Sequence, residues 1–113
     1  MKNLILLLVP FFIISCVNNF DKDHKKFVVT DFSKKRVDTL IPYESKTYVG
    51  YYIKIKGKVD DSVKIQREGY YDIILSKKID TLINGNYYGT EIVIWTFDPY
   101  KAKTGKLEIE YGL

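Results

Sequence analysis

From Phe27 onward this chain alternates apolar and polar residues with a period close to two, most regularly over residues 47–59. There the odd positions carry Val49, Tyr51, Ile53, Ile55 and Val59, while Lys54, Lys56 and Lys58 occupy even ones. Successive side chains of a strand point to opposite faces, so this spacing predicts one core face and one wet face. No window repeats apolar residues at helical spacing. Ten Tyr, six Phe and only three Pro favour strands further.

The same alternation divides the rest of the chain. Strands are predicted at 27–32, 36–41, 47–59, 63–67, 70–75, 79–83, 87–97 and 106–111. Pro42 ends the second because it cannot donate to a ladder. Asp60-Asp61-Ser62 reads as a turn, and Asn84-Gly85 is the strongest short hairpin signal, since Asn-Gly tolerates positive φ. Short strands joined by turns predict an all-β fold, an eight-stranded antiparallel β-sandwich with a barrel as its near relative.

Residues 33–41 and 76–83 echo one another: Ser33-Lys34-Lys35-Arg36-Val37-Asp38-Thr39-Leu40-Ile41 against Ser76-Lys77-Lys78-Ile79-Asp80-Thr81-Leu82-Ile83. Beyond them Tyr48, Gly50, Ile53 and Ile55 fall on Tyr87, Gly89, Ile92 and Ile94. The echo describes a four-strand unit used twice, an internal duplication. It also sets Lys54, Lys56 and Lys58 of one half against Val93, Trp95 and Phe97 of the other. On that alignment Trp95, Phe97, Tyr87, Tyr48 and Tyr52 share a face and form the candidate binding surface. Aromatics on a rigid sheet can stack on sugar rings or anchor a protein. The competing use of Trp95 is to fill the core beneath the 98–105 connection, because Trp is highly buried on average.

Ahead of the alternating region lies Met1-Lys2-Asn3, an apolar run of about 11 residues and the sequence Ile13-Ile14-Ser15-Cys16. The run is about half the roughly 20 residues that span a bilayer. These four residues resemble the lipobox of bacterial lipoproteins. The resemblance implies a signal peptide over 1–15, cleavage before Cys16, acylation of that cysteine, and a covalent lipid in place of any cofactor. Val17 stands where an Asp would retain such a protein in the inner membrane, which implies the outer membrane. Residues 16–26 read as the lipidated cysteine and a polar tether, and 27–113 as the β domain. Cys16 is the chain's one cysteine, so no intrachain disulfide is available.

Removal of the leader leaves 17 Lys and Arg against 14 Asp and Glu, a balance of +3. The charges are interleaved, and nucleic acid would be an odd partner in the envelope. One histidine, His24, cannot complete a Ser-His or Cys-His scheme from a polar tether, and no glycine-rich phosphate loop is present. Asp60-Asp61 lacks the oxygen-rich surroundings that calcium requires. The expectation is therefore a non-enzymatic, membrane-anchored binding module for an envelope protein or glycan. An immunity or hydrolase-inhibitor lipoprotein presenting the 98–105 loop is one alternative. A structural accessory of an envelope complex is another.

Overall fold

The computed structural model describes residues 22–113. The leader, Cys16 and residues 17–21 lie outside the described residues. Six strands form one antiparallel sheet: β1 (His24–Val29), β2 (Arg36–Leu40), β3 (Gly50–Arg67), β4 (Ile73–Asn86), β5 (Val93–Asp98) and β6 (Gly105–Gly112). Their order is β1-β6-β3-β5-β2, with β4 on the other edge of β3.

β3 organises this sheet. Its residues 52–59 pair with β6 and its residues 64–67 with β5, while β4 follows the opposite edge from Gly50↔Asn86 to Ile65↔Ile73. The strand bends where its register with β4 shifts, between Lys58 and Ser62. Lys77, opposite the bend, takes a φ of 62°. The bend folds one half of the sheet over the other, giving a nearly barrel-shaped domain. Trp95 of β5 stacks on Tyr111 of β6 with centroids 5.2 Å apart and planes 3° from parallel. Phe32 meets Phe97 edge-on, and the Ile41 N–H donates to the Lys22 carbonyl at 2.7 Å.

The eight expected strands are thus six, and the expected sandwich is one bent sheet. Asp60-Asp61-Ser62 does not reverse the chain, because β3 continues through it. The Asp60 carboxylate instead accepts from the Lys103 and Thr104 N–H groups at 2.8 and 3.1 Å. Asn84-Gly85 does not form a hairpin either. It lies within β4, where a Cβ on Gly85 would collide with the Tyr51 ring. That glycine accommodates a cross-strand aromatic rather than a turn. The strand expected to start at 87 starts at Val93. His24, Lys25 and Lys26, expected in the tether, are the first residues of β1.

The wet face is where the alternation puts it: Lys54, Lys56 and Lys58 lie on it, and Ile53 and Ile55 are fully buried on the other side. Val63, Ile65, Leu107, Ile109, Tyr111, Leu40, Val93, Trp95 and Phe97 complete the centre of the core. Val49 precedes β3 and is exposed.

The pairing also tests the echo. β2 pairs with β5 through Thr39↔Ile94, and β4 pairs with β3 through Thr81↔Ile55, so the aligned residues keep equivalent partners. Their facing is opposite: Ile53 and Ile55 point inward, whereas Ile92 is exposed and Ile94 half-buried. A one-residue offset in a strand turns every side chain to the other face. The echo therefore does not carry over into the packing.

Candidate binding surfaces

That inversion decides the fate of the aromatic surface. Val93, Trp95 and Phe97 are the inward set of β5, each about 1 % exposed, and Tyr87 is buried as well. Trp95 is packed between Tyr111 and Tyr51, the latter at 5.8 Å. Tyr48 is half-buried, its ring edge-on to Tyr87 at 6.0 Å. Tyr52 stands apart on the lysine face, its hydroxyl donating to Glu110 Oε2 at 2.6 Å. Burial, that hydrogen bond and the Glu110 charge push the Tyr52 hydroxyl up to about 12. The five residues form no common exposed surface, because three of them are interior.

Two other groupings emerge, one at each end of the bent sheet. At the bend, loops 30–35 and 99–104 enclose a cleft of about 600 Å3 lined by Asp31, Lys34, Lys35, Asp98, Tyr100 and Lys103, among others. The second loop is fixed at many points. The Lys101 and Ala102 N–H groups both donate to the Ser62 carbonyl at 3.0 Å, and Asp60 N–H donates to the Thr104 carbonyl at 3.1 Å. Tyr100 N–H donates to Asp98 Oδ1 at 2.8 Å, and Tyr100 holds a φ of 56°. Ala102 is buried, and Lys64 Nζ lies over the Tyr100 ring at 4.3 Å from its centroid. Hydrogen bonds from Thr104 and Lys103 hold the Asp60 carboxyl below its ordinary value. On the facing loop, Asp31 accepts from the Ser33 N–H and hydroxyl at 2.9 and 2.5 Å. Lys34 and Lys103 are exposed on the cleft, and Lys35 sits 3.8 Å from Asp98. The result is a pre-shaped, aromatic-bearing surface on two ordered loops, with three lysines set against Asp31 and Asp98.

At the other end, where the described chain begins, the centre is Asp23, which is 4 % exposed. Its carboxylate accepts from Lys46 Nζ at 3.1 Å, from the Tyr48 hydroxyl at 3.0 Å and from His24 Nδ1 at 3.2 Å. The Tyr48 oxygen in turn accepts from the Tyr43 N–H at 2.9 Å. Burial pushes Asp23 up, but these hydrogen bonds and the Lys46 charge outweigh it, and the carboxyl lies below its ordinary value. A group depressed in this way stabilises the fold above the unfolded carboxylate range and ceases to do so as pH falls through its folded value. Asp23→Asn is expected to cost about 1–2 kcal/mol near neutral pH, since Lys46 and His24 are partly solvated. The gap between the urea midpoints of the two proteins should close below about pH 4; a gap constant with pH would contradict the assignment.

Arg67 lies beside this end, a residue that the sequence pattern alone does not bring forward as functional. It is 9 % exposed, and its guanidinium sits over the rings of Tyr70, Tyr51 and Tyr87 at 4.3, 4.8 and 5.9 Å. Its Nη1 has no hydrogen-bond partner among the described residues. A signal for it exists in the phase of β3: Arg67 shares the odd, inward positions of Val63 and Ile65, and a cation there must find rings or a counter-charge.

Among the described residues no three His, Cys, Asp or Glu side chains gather to hold a metal ion. Comparison with known protein families, with curated proteins and with solved structures returned no match to this chain.

Proposed function

We propose that this chain is a lipid-anchored protein of the bacterial envelope, cleaved before Cys16, acylated there and sorted to the outer membrane. Its β domain acts by binding, without catalysis, and its partner is an envelope protein or glycan of acidic character. The recognition surface in this reading is the cleft between loops 30–35 and 99–104. One observation carries it: the 99–104 loop is held from Ser62, Asp60 and Asp98, so the backbone that presents Tyr100 and Lys103 is already ordered before a partner arrives.

Lys34→Glu combined with Lys103→Glu is the direct test. Neither side chain supports the fold through an ion pair or hydrogen bond among the described residues. Capture of acidic envelope polysaccharide or of a stoichiometric protein partner from detergent extract should fall about tenfold or more. Equal capture by the double variant removes the cleft from consideration. Intact mass spectrometry of natively expressed protein tests the anchor separately, through loss of residues 1–15 and gain of acyl mass.

The same fixed loop favours a second reading, an inhibitor of a secreted toxin or muramidase, since inhibitors present a loop already in its bound shape. Deletion of the gene would then sensitise cells to one such enzyme.

A further inference from the structure

The exposed large apolar side chains of the described domain are concentrated at one end. Of the eleven, six belong to three segments at the Lys22 end: Ile41 and Val49, then Tyr70 and Tyr71, then Tyr88 and Ile92. The loops of the bend end contribute only Tyr100. Tyr71 is 93 % exposed, Tyr88 74 % and Val49 70 %. Isolated exposed apolar residues need no explanation, but a group on one end of a small domain does.

Specific contacts hold these segments together. Ile41 N–H donates to the Lys22 carbonyl at 2.7 Å, and Tyr87 N–H donates to the Val49 carbonyl at 3.2 Å. Arg67 joins the β3–β4 turn to them by touching both Tyr70 and Tyr87. The apolar group is therefore built on a braced platform, and Lys22 lies within it.

The position of Lys22 selects the occupant. Lys22 is six residues after Cys16, and six residues span at most about 20 Å even when fully extended. We propose, resting on the lipid-anchored reading above, that this end of the domain sits in the headgroup region of the bilayer. Tyr70, Tyr71 and Tyr88 place apolar rings in the lipid interface with hydroxyls in water, the position in which Tyr is enriched at membranes. Val49, Ile41 and Ile92 supply aliphatic area beside them. Charge contributes little attraction, because Lys22, Lys46 and Arg67 share this end with Asp23, Glu44, Glu68 and Glu91. Contact is therefore expected on a zwitterionic surface and should resist added salt. The cleft between loops 30–35 and 99–104, at the opposite end, then points away from the membrane.

The test uses the full acylated protein in phosphatidylcholine nanodiscs. Tyr71→Cys, Tyr88→Cys and Tyr100→Cys each introduce one thiol, and with Cys16 acylated it is the sole thiol available for a nitrobenzoxadiazole probe. At positions 71 and 88 the probe should emit blue-shifted light and lose most of its emission to a nitroxide carried near the lipid headgroup. At position 100 it should do neither. Aqueous emission at 71 and 88 on acylated protein overturns this orientation alone, as does protection that develops only after an envelope extract is added, which would assign the end to a protein. A bare Cys16 sulfur, seen by intact mass and as a second labelled thiol, overturns the anchor itself and the orientation with it.

Discussion

Trp95→Ala is expected to destabilise the domain by about 3–5 kcal/mol, enough to leave much of the population unfolded at physiological temperature. Trp95 is the one tryptophan of the chain and is about 1 % exposed. It contributes through position as well as size, because it is a central contact between the two folded-over halves. Its ring stacks on Tyr111 of β6, tilts against Tyr51 of β3 and belongs to β5. Truncation leaves a cavity at the junction of those three strands. At an m-value of about 1–2 kcal/mol/M, the urea midpoint should fall by about 2 M or more. Wild-type Trp95 emission should be blue-shifted and resistant to acrylamide; red, quenchable emission in the folded protein would refute the packing. Tyr111→Phe makes a useful comparison. The Tyr111 hydroxyl is buried with no partner among the described residues, and burial pushes its ionisation upward. Removing a buried hydroxyl that makes no bond should be neutral or slightly stabilising, so the stacked ring, not its oxygen, carries the contact.

Alternation in residue order places Ile53, Ile55, Val63 and Ile65 inside and the three lysines outside, because a half-buried strand writes its two faces into its sequence. What fails is residue chemistry with two uses. Gly85 suits a type I′ turn, yet it equally suits a strand position covered by the Tyr51 ring, and only the tertiary partner separates the two. Asp60 suits a turn, yet here it caps the 99–104 loop some forty positions away, which no local pattern encodes. The aromatic surface fails for a sharper reason. Aligning Ile53 with Ile92 gives the right strand partners but an offset of one in facing, and in a period of two that offset exchanges core for solvent. Asp23 carries no signal at all: an acidic residue in a polar stretch looks solvated until Lys46 and Tyr48 arrive from the connection between β2 and β3. The fixed 99–104 loop is legible as a long connection opened by Asp-Pro and closed by glycine, but its tethering to β3 is not.

Gly57→Ala is expected to be nearly as damaging as loss of the tryptophan. Gly57 has a φ of 147°, a region that L side chains rarely adopt, and a Cβ there would fall far inside van der Waals contact with the Lys106 carbonyl oxygen. Gly105 mirrors it with a φ of 145° and the Lys58 carbonyl in the equivalent place. The two glycines flank the Lys58↔Lys106 pair, where β3 and β6 run together just before the sheet bends. The obstructing atom belongs to the backbone ladder, so no side-chain rotation can relieve it. The strain alone is about 1–3 kcal/mol, and relief requires the strands to separate, which opens the bend and draws Trp95 off Tyr111. Gly69 separates conformational cost from crowding. It also has a positive φ, 89°, but no atom lies within 4 Å of the place a Cβ would take. Gly69→Ala should therefore cost only about 1 kcal/mol. Gly57→Ala should combine a larger drop in urea midpoint with red-shifted, acrylamide-quenchable Trp95 emission. If the two alanine variants lose the same small amount and both retain protected tryptophan, the close approach at the bend is not what folds the sheet over.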